Sequence, residues 1–192
     1  RSPMALRWTE GKQLKVLDFD IENRPLSYLG MDFTTSDITA IAWGWSDQKK
    51  VECRALGEAS TEEILSDFHA AYDQADMVTG HYIRKHDLPI INGALLELDL
   101  PTLSPKLTCD TKIDLIKRSG ISASQESLAE MYGLRAGKYH MSQTKWREAN
   151  RLTADGIALT KKRVIDDVNQ HKALRERLIE ARALKAPSVW HP

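Results

Sequence analysis

Apolar and acidic residues alternate without a break across Leu17-Asp18-Phe19-Asp20-Ile21-Glu22. Side chains two apart on an extended chain share a face. The run therefore predicts a strand over about Leu14 to Glu22, with Asp18, Asp20 and Glu22 projecting together while Val16, Phe19 and Ile21 alternate or pack. A loop follows, marked by Asn23, Arg24, Pro25 and Gly30. The run Ile38-Thr39-Ala40-Ile41-Ala42-Trp43-Gly44-Trp45 is rich in strand formers and predicts a second strand. The polar turn Asp47-Gln48-Lys49-Lys50 returns the chain into a third strand, Val51 to Leu56, giving three strands in antiparallel succession.

Beyond them the period lengthens. Ser60 or Thr61 with Glu63 starts a helix whose apolar positions are Ile64, Leu65, Phe68, Ala71 and Tyr72. Met77-Val78-Thr79 reads as a short buried strand, His81 to His86 as a loop, and Asp87 to Leu98 as a helix that tolerates Pro89 in its first turn. Leu107-Thr108-Cys109 is another short strand, ending at Asp110, read as a helix cap. Ser124 caps a short helix through Met131, ended by Gly133, and Ser142 begins another through about Ala149. A last helix is expected from about Thr153 to Lys185, with Ile157, Val164, Ile165, Val168, Leu174 and Leu178 on its apolar stripe. This order predicts an α/β domain, a mixed sheet flanked by helices.

At 192 residues and 42% hydrophobic the chain can bury one core, and one domain over residues 4–192 is the default. Arg1-Ser2-Pro3 before Met4 reads as an expression remnant. Cys53 and Cys109 are too few for a disulfide framework or a zinc site, so reduced thiols are expected. No apolar run approaches a membrane span and no signal peptide is visible, which predicts a soluble, cytoplasmic protein. Net charge is zero, but its distribution is uneven: 18 acidic and 9 basic residues from Glu10 to Asp110, against 6 acidic and 13 basic from Arg135 to Lys185. An acidic site facing a basic surface suits a polyanion held across metal ions; the solvated face of a C-terminal helix accounts for the basic stretch equally.

Like charges on alternate strand residues repel. The arrangement becomes favourable when a cation sits among them, and clustered carboxylates suit Mg²⁺ or Mn²⁺; a strand with one solvated acidic face is the alternative. Two further acidic positions stand where the topology could bring them near. Asp87 lies at a helix start in Gly80-His81-Tyr82-Ile83-Arg84-Lys85-His86-Asp87-Leu88-Pro89. Asp166-Asp167 lies in the last helix, at the edge of the stripe made by Ile165 and Val168. A plain helix cap and a solvent-facing helix charge are the simpler accounts of the two.

Taken in order, these segments resemble the three motifs of the DEDD superfamily of 3′–5′ exonucleases, and most closely the proofreading domains of family B DNA polymerases. Asp20-Ile21-Glu22 is similar to the first motif and Gly80 to Pro89 to the second, a Gly-Tyr-Asn followed by Phe-Asp-Leu-Pro. Asp167-Val168 resembles the third, Tyr-x-x-x-Asp-Val. The segment from Gly137 to Ala149 is similar to stretches preceding that motif in stand-alone relatives. The resemblance runs from Lys15 to about Leu178 and implies a ribonuclease H-like fold. It also implies that Asp20, Glu22, Asp87 and Asp167 are both the catalytic carboxylates and the ligands of two divalent ions, Mg²⁺ or Mn²⁺. Such ions, about 3.5–4 Å apart, activate a water and stabilise the leaving 3′ oxygen.

The chain departs from this pattern in two places. The third motif carries a Tyr four residues before its Asp, or a His five before, which orients or deprotonates the attacking water. Here those positions are Arg163 and Lys162, both cationic. A base could come from His171 or His140, or the metal-bound water could need none, or Arg163 could grip a phosphate in a protein of weak activity. In the second motif, Tyr82 stands where Asn is common and His86 where Phe is common. Tyr82 is open to base stacking or packing, and Trp146, among Lys145, Arg147 and Arg151, to base stacking or anchoring its helix. Asp18 is read as a supporting or edge residue, and Asp166 as pointing about 100° away from Asp167.

The expectation is a stand-alone, metal-dependent 3′–5′ exonuclease acting on single-stranded DNA, or RNA, with Tyr82, Arg163, Lys162 and Trp146 as substrate contacts. The chain leaves no room for a polymerase domain, so proofreading would need a separate polymerase or replication protein. The rival expectation is a nucleic-acid-binding protein that kept the exonuclease fold and lost catalysis.

Overall fold

In the computed structural model, residues 13–25, 36–116, 120–134 and 141–192 are described. Six strands form one mixed sheet in the order β3-β2-β1-β4-β5-β6. They are β1 (Val16–Pro25), β2 (Ser36–Trp45), β3 (Glu52–Ala55), β4 (Met77–Gly80), β5 (Lys106–Asp110) and β6 (Ser188–Trp190). The first three strands are antiparallel, β4 and β5 run parallel to β1, and β6 turns back against β5. Among the described residues the helices are α1 (Thr61–Gln74), α2 (Asp87–Glu97), α3 (Gln125–Met131), α4 (Gln143–Ala149) and α5 (Ala154–Glu180). The mixed α/β architecture agrees with the ribonuclease H-like arrangement.

The two faces of β1 follow its alternation. Leu17, Phe19 and Ile21 enter the main core, where Phe19 and Trp43 pack on Phe68 of α1 with ring centroids 5.0 and 5.9 Å apart. Helix α1 starts where its sequence dictates: Ser60 Oγ accepts the Glu63 N–H at 3.1 Å, and Glu63 reaches back to the Ser60 hydroxyl. The opposite face of β1, with Asp18, Asp20 and Glu22, lies under α5. Across from these acids β2 offers only Gly44, Ala42 and Ala40, and with Ala55 the two alanines pack on Val164 and Val168 of α5. Small residues here let the long helix approach the sheet. A side chain at Gly44 would meet Lys172 Nζ at 2.9 Å.

The last helix ends at Glu180, short of the expected Lys185. Arg182 adopts a left-handed φ of 54°, and the Ala183 N–H closes the turn on Leu178 O at 2.9 Å. Glycine usually takes this position; an Arg there gave no stop signal. The chain then sends Leu184 into the core beside Leu115 and adds β6, a strand too short and exposed to be read from its pattern. Asp110 caps no helix. Its carboxylate accepts the Lys112 and Ile113 N–H groups, both at 3.0 Å, in a turn. It also accepts those of Tyr82 and Arg84 at 2.9 and 3.1 Å, so β5 holds the loop after β4. Among the described residues no helix is long and apolar enough to cross a membrane.

Gly80 marks the point where that loop leaves the sheet. A Cβ there would lie 2.4 Å from Ile83 Cγ2 and 2.9 Å from the Phe19 carbonyl oxygen, a backbone atom that cannot yield cheaply. Gly80→Ala is therefore expected to lower the unfolding free energy by about 1–3 kcal/mol, the usual cost of forced overpacking. Urea denaturation measures it, and an unchanged midpoint would show that β1 and the loop can separate at no cost.

Candidate metal centre

Three carboxylates from the two ends of the chain meet at one point. Asp20, Glu22 and Asp167 each bring an oxygen within 4.8 Å of the others. The first two come from one face of β1, just before a bulge between Glu22 and Asn23 that bends the strand. Asp167 comes down from α5. Its neighbour Asp166 points aside and pairs with Lys162 at 3.3 Å along the helix surface.

The electrostatics of the cluster are those of carboxyl groups crowded together. Desolvation, then the charges of Asp167, Asp87 and Glu22, push the Asp20 carboxyl well above the ordinary carboxylate range, and a hydrogen bond with Asp167 raises it further. Asp87, at the start of α2, lies near enough to act on Asp20 but outside the tight trio. Its side chain is 3% exposed, Oδ1 meets His86 Nδ1 at 2.8 Å, and Oδ2 is buried with no hydrogen-bond partner among the described residues. Burial raises the Asp87 pKa, while His86 and the Ile21 N–H pull it down. A buried carboxylate oxygen left without a donor, beside three converging carboxyl groups, fits a hard divalent cation bound through oxygen. The donor set does not distinguish Mg²⁺ from Mn²⁺.

The third acid on this face has a different fate. Asp18 is fully buried and accepts hydrogen bonds from Arg175 Nη1 at 2.5 Å and Ser46 Oγ at 2.5 Å, with His171 Nδ1 at 2.8 Å. Burial would raise its pKa, but Arg175, His171 and Ser46 together outweigh that and hold it at about 2. Asp18 is thus an internal anchor of α5 and not an edge residue. His171, read as a possible base, spends Nδ1 on this anchor and is itself buried. Arg175 went unnoticed in the sequence, because nothing in a basic helical stretch marks the one arginine that turns inward.

The remaining predicted contacts are spread around the cluster. Arg163 Nε lies 3.6 Å from Asp167 Oδ2, and both side chains are largely buried. Lys162 is half-exposed on the outer side of the helix. Tyr82 sits in the loop before Asp87 with a left-handed φ of 65°, the Lys112 ammonium 4.1 Å above its ring. Asn tolerates that backbone geometry better than any bulky residue, so Tyr82 holds a strained conformation. Arg84 braces the same loop, its Nη1 and Nη2 donating to Asp114 at 2.6 and 2.8 Å. Trp146 is half-buried on α4, and His140 lies outside the described residues.

No protein-family model matches the chain, and no curated protein matches it. Among solved structures, a family B DNA polymerase from the hyperthermophilic archaeon Pyrobaculum calidifontis superposes with a TM-score of 0.65 over 86% of this chain at 19% identity. The match takes in 24% of the polymerase chain, so this chain spans about a quarter of its length. The likeness is one of fold.

Two expectations follow from the charges. The stability that Asp18 contributes is full above the unfolded carboxylate pKa of 3.8 and is lost as pH falls toward about 2. Asp18→Asn should flatten that acid limb and cost about 3–5 kcal/mol at pH 7 by stranding Arg175; denaturation across a pH series reads both, and a variant as stable as the parent would remove the anchor. Asp20 has the opposite sign, since its raised pKa makes its ionisation unfavourable to folding as pH rises. Metal-free Asp20→Asn should therefore melt above the parent at pH 7, and a lower melting temperature would contradict this crowding of carboxyl groups.

Proposed function

We propose that this chain is a metal-dependent 3′–5′ exonuclease of the DEDD type, which hydrolyses the terminal phosphodiester bond of single-stranded DNA. The convergence of Asp20 and Glu22 with Asp167 carries the reading, because nothing in folding rewards bringing like charges together. The fold shared with a DNA polymerase supports DNA as the substrate, although RNA presents the same bond. A separate polymerase or replication protein would be its partner in proofreading.

On this reading Asp20, Glu22, Asp87 and Asp167 hold two divalent cations, Mg²⁺ or Mn²⁺. Such ions, when bound, acidify a water and offset the charge that develops on the leaving oxygen. The protein's own contribution is placement. The buried pair Asp18–Arg175 fixes α5 against β1, so that Asp167 faces Asp20. His86 orients the Asp87 carboxylate, and Asp110 and Arg84 hold the loop that presents it. Tyr82, Lys162, Arg163 and Trp146 are proposed to contact the terminal nucleotides. His171 bonds Asp18 through Nδ1 while its buried Nε2 has no hydrogen-bond partner among the described residues, and this reading assigns no side-chain base.

One observation favours a second reading, an impaired nucleic-acid-binding protein: a cation, Arg163, contacts Asp167 from the position where the resembling motif carries Tyr. Shortening of a 5′-labelled single-stranded DNA with Mg²⁺ or Mn²⁺ separates the two. Asp20→Ala and Asp87→Ala should each slow it by more than the roughly 10–100-fold that losing an outer partner of a metal ligand costs. Digestion that both variants leave intact would refute the assignment. A parent protein that binds DNA but never shortens it would establish the second reading.

A further inference from the structure

Arg163 and Asp167 stand one turn apart on the same face of α5, with Nε 3.6 Å from Oδ2 and only 17% and 14% of the side chains exposed. The neighbouring Lys162–Asp166 pair has the same spacing at 3.3 Å, but its lysine is 51% exposed, as a surface pair usually is. A cation placed N-terminal to its acid is also the less favourable order along a helix. Helix stability therefore does not account for the inward turn of Arg163. The acidic cluster attracts it: Asp20, Glu22 and Asp167 lie within 4.8 Å of one another, and Asp87 adds a buried oxygen with no hydrogen-bond partner among the described residues. Carboxylates this close need a positive charge, and Arg163 brings one on the protein's own chain.

Resting on the proposed metal site, we infer that Arg163 is a resident counter-ion which a divalent cation must displace from Asp167, and that the phosphate of the terminal nucleotide receives its guanidinium. Two cations contending for one carboxylate repel each other, so metal alone binds weakly. A guanidinium keeps its charge at any working pH, and its planar fork matches phosphate oxygens. Nucleotide and metal then favour each other's binding, by the same factor in both directions. Full assembly of the site waits for the strand end.

Titrating Mn²⁺ by calorimetry or spin resonance, with and without thymidine 5′-monophosphate, tests this without any turnover. Without nucleotide, Arg163→Met should bind Mn²⁺ about tenfold more tightly than the parent or more, as expected for removing a like charge at such range. The nucleotide should tighten Mn²⁺ binding in the parent and in Arg163→Lys, and do little for Arg163→Met. A gain in affinity cannot arise from misfolding. Mn²⁺ binding of equal strength in parent and Arg163→Met would overturn the counter-ion role and leave the metal site standing. Failure of all three proteins to bind Mn²⁺, with or without nucleotide, would overturn the metal site and this inference together.

Discussion

Three acidic side chains on one face of β1 lie under a single helix, Asp18 fully buried and Asp20 and Glu22 partly, and the rest of the molecule is arranged around that burden. A carboxylate removed from water must be paired, protonated or given a metal. The fold uses different answers along one strand. Asp18, deepest under α5, is paired with Arg175 and His171. Asp20, two residues on, lies among Asp167, Asp87 and Glu22, whose charges add to burial in raising its pKa. The same helix supplies these buried partners and a further carboxylate, Asp167, so anchoring and convergence are one event.

That geometry depends on residues with no polar chemistry of their own. Ala40, Ala42, Ala55 and Gly44 make the sheet shallow where α5 crosses it, which lets Asp167 descend to the level of Asp20. Gly80 does the same for the other arm of the site, because the loop to Asp87 leaves β4 against the Phe19 carbonyl. The strained backbone of Tyr82 and the grip of Asp110 on two loop amides belong to that arm. Strain held by surrounding hydrogen bonds is a common mark of a loop that positions a functional group.

The order of elements was legible because each has a strong local cause. Period-two alternation marked β1, Ser-x-x-Glu the start of α1, and serine caps the starts of α3 and α4. What escaped had weak local causes: an arginine in place of glycine at the end of α5, a three-residue β6, and an Asp110 whose partners lie in another loop. Within the site, the spacing of the acids was visible, and the partners that tune them were not.

The sequence by itself determined which residues could share a face: Asp18, Asp20 and Glu22 on a strand, Arg163 and Asp167 on a helix. Such relations depend only on the repeat of the local backbone. It could not decide which of these acids would be paired with a buried arginine and which would be crowded against other carboxyl groups. That division was made by the tertiary structure, through the crossing of α5 over β1, which sets Arg175 on Asp18 and Asp167 on Asp20. Charges interact over ångströms in space, and distance along the chain carries no record of them.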